Sequence, residues 1–295
     1  MSPREAPGRE KAQFDHIYDR PDPREYFRAL GELDYEIPQR AQPVLQALLA
    51  SLRQATPDSS EPQRVLDVCC SYGVNAALLR CEVTLAEMYE RYASPAIGQL
   101  ASSELARADT AFYAERLRPA PVRVSGLDVA AHAVDYGRRV GLLEHGWAED
   151  LEAGEPSAAL HDELTRVDLI VTTGGVGYIT ERTFDRLLNP QRAGAKPWVA
   201  ALVLRMYPYD QIAAALARHG LRTEQLAGVT FPQRRFATDG ERDAALREVG
   251  SRGLDATGRE STGRYHADLY LSRPEAEVEQ LPLRELLDDI LSRAG

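Results

Sequence analysis

Cysteine and histidine are scarce in this chain of 295 residues, and they are poorly spaced for metal binding. The three cysteines are Cys69, Cys70 and Cys81. An odd number, with two adjacent, makes neither a disulfide framework nor the ligand spacing of a structural zinc site. The six histidines are scattered, and no carboxylate cluster suggests a metal centre. We therefore expect a reducing, cytoplasmic environment, no bound metal and no obvious general base.

Long apolar segments and an excess of positive charge are also missing. The longest apolar run, Trp198 to Leu204, is too short to cross a bilayer, and the charged first residues do not form the apolar core of a signal peptide. Lysine and arginine total 35 against 45 aspartates and glutamates, which gives a net charge of −10. Such a chain is a poor candidate for binding nucleic acid or an anionic membrane, so we expect neither partner.

Short apolar runs alternate with helical patterns along most of the chain. This alternation predicts an α/β fold with a doubly wound, seven-stranded, mostly parallel sheet covered by helices on both faces. The sheet domain is predicted to span residues 56–275, followed by a C-terminal helix in 276–295. Two further segments, a helical N-terminal arm (1–55) and a helical insertion (81–121), are candidate lids.

The predicted strands and helices locate the motifs discussed below. Apolar runs indicate strands starting at Arg64 and within 122–127, 142–151, 167–172, 198–206, 223–231 and 265–272. The last two are expected to form an antiparallel pair at a sheet edge. Helical periodicity covers residues 24–31, 40–54, 130–141, 180–188, 209–219 and 282–293. In such sheets a ligand binds beyond the carboxyl ends of the strands.

The first strand-to-helix turn has the order Asp67-x-Cys69-x-Ser71-x-Gly73. Small residues at this place let a ligand approach the backbone N–H groups at a helix N-terminus. The order resembles motif I of the class I S-adenosylmethionine (SAM)-dependent methyltransferases, in which an acid is followed by three alternate glycines. Cys69 and Ser71 stand where that family has its first two glycines, and Gly73 remains.

Two further acids follow the next strands in the order of that family. Asp128 ends the second strand, where the family places a carboxylate that accepts from both ribose hydroxyls of SAM. Asp150 and Leu151 come where the family has an acid for the adenine amino group and an apolar neighbour for the ring. The resemblance covers about residues 40–275 and implies a Rossmann-like methyltransferase fold with SAM as cofactor. The cofactor-binding residues it implies are Asp67, Cys69, Ser71, Gly73, Asn75, Asp128, Val129, Asp150, Leu151, Thr173 and Gly174.

The reacting end of the site is expected after the fourth strand, in the stretch from Thr172 to Tyr178. The Asn/Asp-Pro-Pro-aromatic signature of methyltransferases that act on nucleic-acid amino groups is missing there. The glycines of this stretch leave space for the sulfonium end of SAM or for a small substrate. Tyr178 is a candidate catalytic residue, with packing at the start of the next helix as an equal alternative. Tyr18 and Tyr35 are the other candidates, because aromatic faces attract a desolvated cation; Tyr89 and Tyr92 are considered with them.

Three functions remain open from the sequence. The first is methyl transfer from SAM to a small-molecule acceptor in bacterial secondary metabolism, by an SN2 reaction in a lidded site. The second is intramolecular cyclisation of SAM to azetidine-2-carboxylate and methylthioadenosine. For this reaction the Cys-Cys-Ser-Tyr-Gly loop, the aromatic arm and the lack of a base look like azetidine-forming relatives. The third is a non-catalytic SAM-binding protein, because two motif glycines are missing. The partner is then a small molecule, or none beyond SAM, for a monomer or homodimer.

Overall fold

A single sheet organises the chain in the computed structural model, which describes residues 15–55, 61–119, 122–190 and 196–294. Its strands are β1 (Arg64–Val68), β2 (Arg123–Asp128), β3 (Gly146–Ala148), β4 (Leu169–Thr173), β5 (Trp198–Leu204), β6 (Leu221–Gln225), β7 (Phe231–Arg235) and β8 (Arg264–Pro274). Their order is β3-β2-β1-β4-β5-β8-β6, and β7 pairs with β8 off this path. The first five strands are parallel, and β8 runs antiparallel to β5, β6 and β7.

Helices cover both faces of the sheet and form the arm and the insertion. The arm contains α1 (Asp15–Tyr18), α2 (Arg24–Gly31) and α3 (Ile37–Ala55). After α4 (Val74–Arg80), the insertion contains α5 (Leu85–Ala93), α6 (Pro95–Gly98) and α7 (Ser102–Ala114). The remaining helices are α8 (Ala131–Arg139), α9 (Ala158–Leu164), α10 (Glu181–Leu188), α11 (Asp210–Arg218), α12 (Asp239–Ser251), α13 (Glu275–Gln280), α14 (Leu283–Leu286) and α15 (Asp288–Ala294). None of the helices in the described ranges is long and apolar enough to cross a membrane.

The central strands are buried because their apolar runs are continuous. All seven residues of β5 are buried, and four of the five in β1 and in β4. Each fully buried aliphatic side chain contributes roughly 1.5–3 kcal/mol relative to its exposed state. This continuous burial is what a parallel sheet covered on both faces requires, and it confirms the predicted fold class.

The predicted edge hairpin is wrong in two respects. Residues 223–231 do not form one strand, because β6 ends at Gln225 and a turn containing Gly228, with φ of +81°, leads to β7. The long strand β8 does not lie at the edge but between β5 and β6. The sheet therefore has one strand more than predicted within the described residues.

Two other predictions need correction or fall outside the description. The C-terminal segment forms α13, α14 and α15 instead of one helix, because Pro282 begins a new turn after Leu281. Helix α12 has no counterpart among the predictions. The predicted boundary at residue 56 and the start of the arm lie outside the described residues.

The insertion leaves and rejoins the sheet domain at one point. An isolated antiparallel bridge joins Cys81 to Leu117. The amide of Glu82 donates to the carbonyl of Arg116 at 2.7 Å, and that of Arg118 to the carbonyl of Arg80 at 2.9 Å. The two ends of the insertion are therefore adjacent, and its helices do not change the order of the central strands.

A fully buried carboxylate anchors the insertion to the sheet domain. Asp109 of α7 accepts hydrogen bonds from Arg91 and Tyr92 of α5 and from Tyr136 of α8. A buried polar group without partners is strongly destabilising, and these three partners satisfy the side chain of Asp109 in the interior. The network fixes α5 and α7 against α8, the helix that follows β2.

Gly126 in β2 provides the space for the turn after β1. A Cβ atom at this position would lie 2.6 Å from Cys70 Sγ and 2.8 Å from Leu143 Cδ1. We expect Gly126→Ala to lower the free energy of unfolding by about 1–3 kcal/mol through overpacking. Denaturant unfolding measures this change. Gly98→Ala is the control, because no atom lies within 4 Å of the added methyl group; equal effects of the two substitutions would contradict the packing argument.

Candidate active site

The crevice at the carboxyl ends of β1 and β4 is where the connections change direction. β1 pairs with β2 on one side and with β4 on the other, so the connections to β2 and to β4 leave in opposite directions. In open α/β sheets ligands bind at such a switch point. The turn after β1 and the residues after β2 and β4 all border this crevice.

The turn after β1 keeps an unusual backbone conformation without its glycines. Cys69 and Ser71 have φ of +61° and +48°, and Gly73 has φ of +80°. The left-handed region costs a residue with a side chain roughly 1–2 kcal/mol. Such strain persists only where the surroundings impose it, and it is concentrated at functional sites. The two residues that replace glycines therefore adopt the conformation that glycine favours.

Asp67 is the buried acid beneath this turn. Its side chain is 1% exposed, and its Oδ1 accepts from Asn75 Nδ2 at 3.0 Å. The same Nδ2 donates to Thr173 Oγ1 at the end of β4, also at 3.0 Å. Burial raises the pKa of Asp67 to about 7, against the opposing hydrogen bond from Asn75. One side-chain amide thus joins the carboxyl ends of β1 and β4.

Several buried polar atoms around the crevice have no hydrogen-bond partner. In the described part of the chain eleven buried side-chain atoms are in this state, and five of them belong to this region. These five are Asp67 Oδ2, Ser71 Oγ, Asn75 Oδ1, Thr172 Oγ1 and Gln233 Oε1. Buried polar groups are normally satisfied, so a concentration of exceptions at one place indicates a polar ligand.

Asp128 lies at the end of β2 and faces the same turn. Its Oδ2 accepts from the amide of Ser71 at 2.8 Å, and its Oδ1 from the amide of Ala130 at 3.0 Å. Burial raises its pKa, and the backbone hydrogen bonds oppose that shift. The carboxylate holds Ser71 in place, and the neighbouring Val129 is 68% exposed on the rim.

The predicted adenine-binding pair is less well formed. The pairing of β2 with β3 aligns Asp128 with Ala148, which brings the following residues to the rim. Asp150 is exposed, and its Oδ1 accepts from the amide of Glu152 in its own loop at 2.8 Å. Leu151 is buried, with its carbonyl bound by Arg186. Both residues follow β3, and the side chain of Leu151 packs in the interior.

A tyrosine roof, formed by Tyr18, Tyr26, Tyr35 and Tyr72, lies over the turn. The ring centroid of Tyr26 is 5.6 Å from that of Tyr18, 6.5 Å from that of Tyr35 and 5.5 Å from that of Tyr72, all edge to face. Burial raises the pKa of Tyr18, and the nearby groups of Tyr35, Tyr178 and Asp128 raise it further. Two candidate catalytic residues, Tyr18 and Tyr35, are thus close together, and the third, Tyr178, contributes to the surroundings of Tyr18.

The exposed Tyr178 differs from the tyrosines of the insertion. Tyr178 is 52% exposed at the rim. Tyr89 donates its hydroxyl to the carbonyl of Tyr35 at 2.7 Å, and Tyr92 stacks on Phe27 with centroids 4.4 Å apart. Tyr89 and Tyr92 therefore support the roof from outside, and packing is the better description of both.

The arm is attached across the crevice at both ends of the roof. Near its start, the amide of Arg20 donates to the hydroxyl of Tyr72 at 2.9 Å, and Asp19 accepts from the amide of His132 at 2.7 Å. Near its end, the amide of Glu36 donates to the carbonyl of Gln233 at 2.7 Å. The arm is therefore bonded to the turn after β1, to α8 and to β7.

Comparisons with known proteins give structural likeness only. No family model matches the chain, and no curated protein matches its sequence. A magnesium protoporphyrin IX methyltransferase of Synechocystis is similar at 12% identity over 79% of each chain, with a TM-score of 0.37. A plantazolicin methyltransferase has 10% identity over 88% of this chain and 93% of its own, with a TM-score of 0.41. A TehB-like SAM-dependent methyltransferase of Corynebacterium glutamicum has 14% identity over 79% and 96%, with a TM-score of 0.35.

The strand order decides the fold. Five parallel strands with β1 next to β4 are followed by an antiparallel strand inserted before the last one. This is the strand order of the Rossmann-like methyltransferase fold that the sequence predicts. Compared with the seven strands predicted from the sequence, β7 is the additional strand in the described residues. It brings residues to the rim that the sequence did not indicate.

The residues that the sequence analysis missed are Gln233 and Arg234 of β7. Both are 2% exposed. Arg234 forms two hydrogen bonds with Glu241 of α12, at 2.9 and 2.7 Å, and its guanidinium lies 4.9 Å from the ring centroid of Tyr265. Gly228, inside the single strand predicted for 223–231, was the available signal for two strands, since glycine often interrupts a strand.

Asp67 makes the stability of the folded protein depend on pH. Its folded-state pKa of about 7 lies above that of an exposed aspartate, near 3.9. Between these values the folded protein holds the proton that the unfolded chain releases. This contribution to stability is complete below about pH 4 and is lost as the pH rises through about 7, at roughly 1.4 kcal/mol per pH unit.

We expect Asp67→Asn to remove most of this dependence. Between about pH 4 and about pH 8, the decrease in unfolding free energy should be smaller for the variant by on the order of 2–4 kcal/mol. Denaturant unfolding at the two pH values measures it. Asp135→Asn, an exposed aspartate of α8, is the matched control and should follow the original protein. The same pH dependence with and without Asp67 would refute the assignment.

Proposed function

We propose that the protein is a SAM-dependent enzyme that transfers the methyl group of SAM to a small-molecule acceptor. The observation that carries the proposal is the cluster of unpartnered buried polar atoms at the switch point, beneath the tyrosine roof. An acceptor from bacterial secondary metabolism is consistent with it. The net charge of −10 favours such an acceptor over a nucleic acid.

The residues of the crevice suit the polar groups of SAM. The free Oδ2 of Asp67 is a hydrogen-bond acceptor for the α-ammonium group, and binding a cation favours the ionised carboxylate. Asp128, fixed by two backbone amides, retains lone pairs for the ribose hydroxyls. Asp150 would have to turn from its own loop to reach the adenine amino group. Cys69, Ser71, Gly73, Asn75, Val129, Leu151, Thr173 and Gly174 complete the proposed cofactor site.

The tyrosine roof supplies the environment for alkyl transfer. Burial raises the pKa of Tyr18 and of Tyr35, so both phenols stay neutral, and their rings attract the sulfonium cation. We propose that Tyr18, Tyr35 and Tyr178 face the reacting end. The acceptor's lone pair forms a bond to the methyl carbon as the carbon–sulfur bond breaks. The sulfur keeps the bonding pair in S-adenosylhomocysteine, and the acceptor's proton leaves to water; orientation and exclusion of water supply the acceleration.

Asp67 favours a second candidate, the cyclisation of SAM. The unpartnered Oδ2 of its carboxylate is placed to take a proton from the α-ammonium group that it would bind. The neutral amine then forms a bond to the γ-carbon while the bond from that carbon to sulfur breaks. Methylthioadenosine leaves with the bonding pair, and azetidine-2-carboxylate remains. This reaction needs no second substrate.

Incubation with SAM alone distinguishes the two candidates. For methyl transfer we expect S-adenosylhomocysteine to form only after a small-molecule acceptor is added. If methylthioadenosine and azetidine-2-carboxylate form in equal amounts without any acceptor, the reaction is cyclisation and the proposal of methyl transfer fails. Chromatography of the nucleoside products measures both. The Asp67→Asn variant is the control, since it should slow cyclisation more than it weakens SAM binding.

Asp128→Ala tests the cofactor assignment. Loss of a carboxylate that binds hydroxyl groups should weaken SAM binding about 10- to 100-fold, by calorimetry. Thermal unfolding should show that the variant still folds. Asp135→Ala, on the exposed side of α8, is the control and should bind SAM as the original protein does. Unchanged affinity in Asp128→Ala would mean that another acid binds the ribose.

A further inference from the structure

The extra strand β7 places a buried amide at the end of β4. The pairing of β7 with β8 shifts its register between Pro232 and Arg235, so Gln233 and Arg234 form a bulge. Bulges redirect side chains and are frequent beside active sites. The Oε1 of Gln233 is buried and has no partner in the described ranges. A buried amide oxygen in this state destabilises the folded protein, which calls for an explanation.

Gly174 makes room for this amide. A Cβ atom at Gly174 would lie 2.5 Å from Gln233 Nε2. Any other residue there would displace the amide, and Gly174 has φ of +89°, which disfavours a side chain in any case. Gln233 therefore contacts the chain directly after Thr173, whose hydroxyl accepts from Asn75. The amide therefore lies against the stretch from Thr172 to Tyr178, in which the sequence predicts the reacting end of the site.

Specific contacts hold Gln233 and the residue that follows it. Its carbonyl accepts from the amide of Glu36, which links it to the roof. The guanidinium of the next residue, Arg234, is neutralised by the carboxylate of Glu241. Gln233 thus presents a neutral acceptor in a fixed place, and the adjacent cation, Arg234, is paired with Glu241.

We propose that Gln233 Oε1 accepts a hydrogen bond from the nucleophile that attacks SAM, and that this nucleophile is an amine. The proposal rests on the proposed function. An amide oxygen accepts a hydrogen bond but does not remove a proton. A hydroxyl nucleophile needs a base, whereas a neutral amine attacks with its lone pair while its N–H is held. The assignment applies to an amine that accepts the methyl group of SAM.

Sinefungin and S-adenosylhomocysteine test this without knowledge of the acceptor. Sinefungin carries an amino group at the place of the transferred methyl group, and S-adenosylhomocysteine has nothing there. By calorimetry we expect the original protein to prefer sinefungin. Gln233→Leu should weaken sinefungin binding about 10-fold and change that of S-adenosylhomocysteine less than about 2-fold, as expected for one hydrogen bond to a charged group.

Two variants separate the assignment from general damage. Gln63→Leu removes a buried amide that donates to the carbonyl of Leu49 at 2.6 Å, and it should leave the ratio of the two affinities unchanged. Gln233→Glu keeps an acceptor and should increase the preference for sinefungin. An unchanged ratio in both Gln233 variants overturns the assignment, and so does an equal loss of both ligands. If the original protein binds neither ligand, the proposed function itself fails.

Discussion

The buried carboxylate of Asp67 is the constraint on which the rest of the site depends. An acid in the interior needs partners: Asn75 donates one hydrogen bond to Asp67, and the other oxygen has no partner among the described residues. Because the same amide of Asn75 also reaches Thr173, the carboxyl ends of β1 and β4 are held at a set separation. The turn after β1, the stretch after β4 and the roof are arranged around this one pair of contacts.

The turn after β1 shows that backbone conformation matters more than residue type at this place. Cys69 and Ser71 have left-handed backbones that glycine would adopt at lower cost. Their strain is opposed by specific contacts: the carboxylate of Asp128 holds the amide of Ser71, and the carbonyl of Leu127 accepts from the amide of Cys69. Two missing glycines are therefore a weak reason to regard the protein as non-catalytic.

The sequence was informative where structure is local. Continuous apolar runs revealed the parallel strands, and the acids Asp67 and Asp128 could be located because each directly follows or ends such a run. The contribution of β7 could not be predicted, because it depends on pairing with β8 and on the close approach of Gln233 to Gly174, far apart in the chain. The same holds for the different places of Tyr18 and Tyr35, at the roof, and of Tyr89 and Tyr92, which pack behind it. All four are tyrosines in segments rich in aromatic residues, and only tertiary contacts distinguish them.

The attachment of the arm has a kinetic consequence. The arm is bonded to Tyr72 and His132 on one side of the crevice and to β7 on the other. In the proposed function SAM binds beneath the tyrosine roof, and these attachments border that position on two sides. The opening of a few hydrogen bonds between the arm and its neighbours would then contribute to the rate at which SAM and its product exchange.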